Sequence, residues 1–240
     1  MRDFSKRSLS TCGVWLLCIG TSYAVPMAFT DRAAFLAAAP GALSTLDFDA
    51  LSAGTIISSG GTVGGITFAY DFGGVQMMAS DVFSTTSPSN FLGTDDADVF
   101  QDGDDFALSF APTNALGMFF LSADFLFDGD ISLVAGGVTA SVDASAVEQI
   151  LPDGSQAYFL GIVDPATAFT SAAIIANGGP GGPFFFYNVD DISIGVSQIP
   201  EPGTLFLLGT GILGLAAHIR RRNFIRFSSN RSASNLPEQS

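Results

Sequence analysis

Short apolar runs, separated by Gly, Ser, Asn, Asp and Pro, occupy the middle of the chain. Many of them alternate apolar with polar residues, which is typical of strands that bury one face. The pattern predicts about nine short strands, and such strands joined by turns favour a mainly β, antiparallel sandwich. The predicted strands are residues 44–48, 65–70, 106–110, 115–123, 131–135, 138–142, 157–163, 169–175 and 189–194.

Two segments depart from this pattern. Residues 30–39 predict a short helix that is capped by Thr30 and carries Phe35, Leu36 and Ala39 on one side. Glycine and proline fill residues 178–183, which predicts a loop. The aromatic residues 184–187 that follow form either an exposed patch for a partner or a buried strand, and we favour the buried strand.

The first 24 residues read as a signal peptide, which forms a short helix before it is removed. Arg2, Lys6 and Arg7 supply a basic start, and residues 9–20 are largely apolar. Small residues then favour cleavage by signal peptidase between Ala24 and Val25. Both cysteines lie inside this segment, so the mature protein has none and cannot be stabilised by disulfides.

An uncharged apolar run, residues 203–219, lies near the other end of the chain. As a helix it would be about 25 Å long, at the short end of what spans a bilayer. Pro200, Glu201 and Pro202 precede the run, and Arg220, Arg221 and Arg222 follow it. Since arginine-rich flanks stay in the cytoplasm, the run predicts a transmembrane helix with a cytoplasmic C-terminus.

This three-part tail resembles the PEP-CTERM sorting signal of Gram-negative bacteria, which is also known as an ice-binding-protein C-terminal domain. The resemblance implies an inner-membrane intermediate that is recognised by exosortase, a membrane protease-transpeptidase. Processing would then free the domain to the cell surface or to an exopolysaccharide matrix. The residues that follow the arginines, 223–240, are a departure, because such signals usually end within a few residues. The alternative is a single-pass anchor that is never cut.

Several phrases within residues 42–195 resemble the jelly-roll domains often found upstream of such tails. They are residues 46–49, 64–68, 159–162 and 188–192. The resemblance implies an antiparallel, jelly-roll-like β-sandwich and no particular activity. We therefore expect four regions: a signal peptide (1–24), an extracytoplasmic domain (25–198), a sorting and transmembrane segment (199–222) and a basic, polar cytoplasmic tail (223–240).

The predicted exported region is strongly acidic. Residues 25–199 contain twenty Asp and Glu residues and one basic residue, Arg32, which gives a net charge of −19. Such a surface repels phosphates and anionic lipids, which excludes nucleic-acid binding. It attracts divalent cations or cationic partners, or it simply keeps an exported protein soluble.

The residues that this region lacks exclude most catalytic chemistry. The only histidine of the chain, His218, lies in the apolar run and outside this region. The region also contains no Cys and no Lys. Nucleophilic sites that depend on His, Cys or Lys are therefore impossible, as are zinc sites built on histidine or thiolate. A glycoside hydrolase needs only two carboxyl groups and remains an alternative. We expect a non-catalytic protein, because the only tryptophan, Trp15, leaves with the signal peptide.

A group of six aspartates is the candidate metal site. Asp95, Asp96, Asp98, Asp102, Asp104 and Asp105 fall within one short segment that Gly103 allows to turn. Calcium takes six to eight oxygen ligands from such loops, although the spacing does not fit an EF-hand. A solvated, charged turn is the alternative. Asp128–Asp130 forms a second acidic turn, and Asp190 and Asp191 enter the last predicted strand.

Overall fold

A computed structural model describes residues 25–177 and 184–195 of the protein. Within them, one short helix and sixteen strands form two antiparallel sheets, which confirms the mainly β prediction. The elements are β1 (Met27–Phe29), α1 (Arg32–Ala38), β2 (Leu43–Leu46), β3 (Ile56–Ile57), β4 (Thr62–Val63), β5 (Ile66–Tyr70), β6 (Met77–Ser80), β7 (Phe91–Thr94), β8 (Phe100–Gln101), β9 (Phe106–Thr113), β10 (Ala115–Ser122), β11 (Ile131–Ala135), β12 (Val138–Ser141), β13 (Val147–Ile150), β14 (Gln156–Val163), β15 (Phe169–Ala176) and β16 (Phe186–Gly195).

The two sheets share one hydrophobic core. The larger sheet runs β1-β14-β10-β16-β7-β6-β3, with β13 added on β14 and with β2 and β8 added on β16. The smaller sheet runs β12-β11-β15-β9-β5-β4. Their facing side chains, including Phe68 and Leu108 from the smaller sheet and Met118 and Leu160 from the larger one, belong to a single buried cluster. Burial of this face is the main force that holds the two sheets together.

The central strands of the larger sheet are buried on both faces. Every residue of β10 is buried, and alternate side chains point into two different cores. Phe119 of β10 and Phe159 of β14 point to the outer face, where they meet Phe35 from α1. This second core explains why β10 reads as a continuous apolar run rather than an alternating one.

Helix α1 begins one residue later than predicted. The cap is Asp31 and not Thr30, because the Asp31 carboxylate accepts a hydrogen bond from the Ala34 backbone N–H at 2.6 Å. Phe35 is fully buried as expected, whereas Leu36 is exposed. The helix therefore buries one ring on the sheet rather than a broad apolar face.

All nine predicted strands are present, with ends shifted by a few residues. Seven short strands are not predicted by the sequence pattern, namely β1, β3, β4, β6, β7, β8 and β13. Residues 184–187 combine the two alternatives considered for them. Phe185 and Tyr187 are buried, whereas Phe184 and Phe186 are exposed.

Both ends of the described domain lie at one end of the larger sheet, which we call the tail pole. Met27 at the start of β1 and Ala115 at the start of β10 both pair with Val163, the last residue of β14. The Thr113 hydroxyl donates to the carbonyl of Gly195, where β16 ends, at 2.7 Å. The described part of the chain therefore begins and ends at the tail pole.

The predicted signal helix and transmembrane helix lie outside the described residues. No helix formed by residues 25–177 and 184–195 is long and apolar enough to cross a membrane.

Candidate functional site

The six aspartates of the predicted calcium loop are spread along the segment and hold it in place. Asp95 accepts a hydrogen bond from the Gln76 backbone N–H at 2.8 Å, and Asp105 accepts one from the Ala176 N–H at 2.8 Å. Three others have partners of their own: the Thr94 hydroxyl donates to Asp96, the Ser80 hydroxyl to Asp98 and the Gln101 N–H to Asp104. Asp102 also has interactions within the fold. The carboxylates thus bridge β6, β7, β8 and β15.

Burial and neighbouring charges both act on Asp104. Burial raises the pKa of Asp104, and the neighbouring charges of Asp96 and Asp105 raise it further, while the hydrogen bond from Gln101 opposes the shift. In residues 25–177 and 184–195, no three carboxylates are grouped so that they could hold one metal ion. Calcium binding by this loop therefore stays a prediction from the sequence.

A second carboxylate site, centred on Asp190, lies where β16 changes partner. Before this point β16 pairs with β7 through Val189 and Leu92, and after it β16 pairs with β2 through Ile192 and Leu46. The register against β10 also shifts here, because three residue steps on β16 match two on β10. Asp191 takes up the extra residue with a φ of 52°, a left-handed conformation that is uncommon for residues other than glycine.

The Asp190 carboxylate is fully buried and fills the gap between β7 and β2. It accepts hydrogen bonds from the hydroxyls of Thr85, Thr86 and Ser87, and from the backbone N–H of Ser87 at 3.0 Å. Its other oxygen accepts the Asp191 N–H at 2.7 Å. A buried carboxylate is stable only when it is hydrogen-bonded in this way, so the site fixes the loop that contains residues 85–87 onto the sheet.

Burial has a larger effect on the pKa of Asp190 than these hydrogen bonds do. It raises the pKa of Asp190 to about 6, although the Thr85 hydroxyl bond lowers it and the charge of Asp191 adds to the increase. Burial also raises the pKa of Asp191, while the Thr86 hydroxyl and the Arg32 guanidinium act in the opposite direction. A carboxyl group with such a pKa is suited to donate a proton near neutral pH.

Sequence patterns predict this site only in part. They single out Asp190 and Asp191 as acidic residues that enter a strand, but not the hydroxyl groups that bind Asp190. The signal that could have revealed them is the run Thr85-Thr86-Ser87, three consecutive hydroxyl side chains after an apolar stretch. Asn90 connects the same loop to the segment that follows β2. Its backbone N–H donates to Asp49 at 2.8 Å, and its side-chain amide donates to the Leu51 carbonyl at 2.7 Å.

The tyrosines of the described region face inward. Tyr158 and Tyr187 are almost completely buried, and the Tyr187 hydroxyl donates to the Asp104 carbonyl at 2.6 Å. The Tyr70 hydroxyl donates to the Ile57 carbonyl and accepts the Met77 N–H. All three tyrosine hydroxyls thus make hydrogen bonds within the fold.

The residues of the predicted sorting motif lie outside the described region, as does Ala24, whereas Val25 is described and exposed. Residues 198–222 match the PEP-CTERM protein-sorting motif, which confirms the resemblance drawn from the tail. The match includes Pro200–Pro202 and Arg220–Arg222 and leaves the two-sheet domain uncovered. No curated protein matches the chain. The motif thus supports export and sorting through the tail.

Proposed function

We propose that the protein is an exported, non-catalytic cell-surface or matrix protein, delivered and cut through its PEP-CTERM tail. In this proposal signal peptidase cuts between Ala24 and Val25, and exosortase later cuts near Pro200–Pro202. The observation that carries the proposal is the match of residues 198–222 to the sorting motif. The released product is the acidic two-sheet domain, and it associates with extracellular polysaccharide outside a Gram-negative cell.

The architecture of the domain fits such a release. Its two cores are built from residues between Phe29 and Ile194, so they require nothing from the tail. Two antiparallel sheets that share a core are compatible with the jelly-roll-like sandwich expected from the sequence. A domain with a complete core stays folded after its tail is removed.

The case for a non-catalytic role rests on the accessibility of the carboxyl groups. Asp190 has the pKa of a general acid, but it has no exposed surface and its oxygens are occupied by Thr85–Ser87. A general acid must come within hydrogen-bond reach of its substrate, which a sealed group cannot do. The pKa of Asp190 is therefore raised because the carboxyl group is buried where it holds the loop of residues 85–87, and not because it acts as an acid in catalysis.

The test is the fate of the chain in the native producer. Mass spectrometry of matrix and membrane fractions should find a mature chain that starts at Val25, ends near Pro200–Pro202 and is recovered from the matrix. A P200A/P202A double variant should remain intact to Ser240 in the membrane. Pro237→Ala, which lies beyond the motif, is the matched control and should be processed normally. A wild-type chain that is intact to Ser240 and confined to membranes would instead identify a permanently anchored surface domain.

A further inference from the structure

The exposed phenylalanines of the domain gather at the end opposite the tail pole. Strand β10 runs from Ala115 at the tail pole to Ser122, a length of about 25 Å. The Ser122 hydroxyl donates to the carbonyl of Phe186 at 2.7 Å, which marks the far end of the sheet. All five exposed phenylalanines of the described region lie on the segments around this end, which we call the aromatic pole: Phe83, Phe125, Phe127, Phe184 and Phe186.

Contacts within the pole place four of these phenylalanines, all except Phe127, next to one another. Phe184 and Phe186 pack edge to face with ring centroids 5.1 Å apart. The Phe186 N–H donates to Asp124 at 2.9 Å, which places the next residue, Phe125, beside them with 82% of its surface exposed. Phe83 faces Phe186 across a groove of about 70 Å³. Exposed apolar side chains that gather in one place, with polar residues around them, mark interaction sites.

Carboxylates surround the rings. Asp153 lines the groove, Asp124 bonds to the start of β16, and Asp128 lies on the same turn as Phe125 and Phe127. The only basic residue in the sequence from 25 to 195 is Arg32. It lies on α1, and its guanidinium carbon is 5.6 Å from the centroid of the Phe119 ring. The pole therefore presents an apolar centre and an acidic rim with no positive charge of its own.

We propose that the aromatic pole is a docking surface for a partner protein with an apolar centre and a basic rim. Apolar side chains of the partner cover the phenylalanines, and its Lys and Arg side chains pair with the rim carboxylates and lie over the rings. Charge complementarity identifies this occupant. A second copy of the domain also carries a charge of −19 and would be repelled.

The same observations disfavour a glycan at this pole. Its rings are all phenylalanine, without the polar group of tyrosine or tryptophan, and the described tyrosines are used inside the fold. The groove is also much smaller than the roughly 300 Å³ at which small-molecule sites begin, so it admits a side chain rather than a sugar ring. The docking surface does not depend on the proposed processing.

The test compares two cationic peptides of equal length, one of lysine and leucine and one of lysine alone. Binding is measured on the full chain in nanodiscs of zwitterionic lipid, with empty nanodiscs as the blank, so that the result is independent of tail cleavage. We expect the wild-type chain to bind the lysine–leucine peptide at least tenfold more tightly, and to lose affinity as salt is added. The F125A/F127A variant should lose this tenfold preference, because both rings are exposed and their removal leaves the core intact.

A matched control variant, M27A/L36A, removes two exposed apolar side chains, one on β1 at the tail pole and one on α1, and should retain the preference. Equal binding of the two peptides would overturn the proposal, since charge alone would then explain the affinity. An unchanged preference in F125A/F127A would overturn it as well. Phe125-dependent binding of dextran, a neutral polysaccharide, in place of the peptide would make the pole a glycan surface instead.

Discussion

Gly161→Ala tests whether two glycines leave the space in which Phe35 of helix α1 packs on the sheet. Gly117 and Gly161 lie opposite each other in β10 and β14, and the Phe35 ring packs over them. A Cβ at Gly161 would lie 2.6 Å from Phe35 Cδ2 and 2.8 Å from Phe159 Cε1. Both distances are well below the 3.5–4.0 Å or so of a normal carbon–carbon contact, and both rings are buried.

The cost of the substitution is steric. Neither Gly117 nor Gly161 has a positive φ, so alanine meets no backbone strain and would by itself favour the strand. Overpacking of a buried core typically costs about 1–3 kcal/mol, and we expect Gly161→Ala to lower the free energy of unfolding by that amount. Gly117→Ala should behave in the same way, because its Cβ would lie 2.5 Å from Phe159 Cζ.

A double-mutant cycle with Phe35→Leu isolates the mechanism. The smaller leucine vacates space beside Phe159, whose ring centroid lies 5.2 Å from that of Phe35, so the Phe159 ring can move away from the new Cβ. In urea unfolding followed by circular dichroism, Gly161→Ala should therefore cost at least about 1 kcal/mol less in the Phe35→Leu background. An equal cost in both backgrounds would refute the steric explanation.

Two further predictions concern the carboxylates. Because the pKa of Asp190 is raised from 3.8 to about 6, the folded domain binds more protons than the unfolded chain between these values, and Asp190 should lower stability by up to about 3 kcal/mol as the pH rises from 4 to 7. Asp190→Asn should flatten the measured slope of unfolding free energy in this window, and an unchanged slope would assign the titration elsewhere. Millimolar calcium should raise the melting temperature above that in EDTA if the Asp95–Asp105 loop binds the ion; the hydrogen bonds that those carboxylates already accept favour no shift.

The long strands could be predicted because their signal is local. Runs such as 115–123 and 157–163 are apolar enough to identify a strand wherever it lies in a sheet. Short strands such as β3 and β8 contain two residues each, and their pairing is decided by distant partners. No local pattern can show that Phe100 pairs with Tyr187.

The sites illustrate the same limit. The six aspartates are close in sequence, yet in the fold the carboxylates of Asp95, Asp96, Asp98, Asp104 and Asp105 each accept a hydrogen bond from a different residue. The Asp190 site joins Thr85–Ser87 to a strand about a hundred residues later, and only the fold brings them together. In contrast, the sorting motif needs no fold to be recognised, because order and spacing along the chain define it.

The single arginine of the exported region has a consequence for its survival outside the cell. Trypsin-like proteases cut after Lys or Arg, so residues 25–195 offer them one peptide bond, Arg32–Ala33. That bond lies in the first turn of α1, which Phe35 fastens to the sheet, whereas proteolysis requires a locally unfolded segment. A domain with this composition should resist trypsin-like proteases outside the cell. That resistance depends on the packing of Phe35, which keeps the Arg32–Ala33 bond in a folded helix.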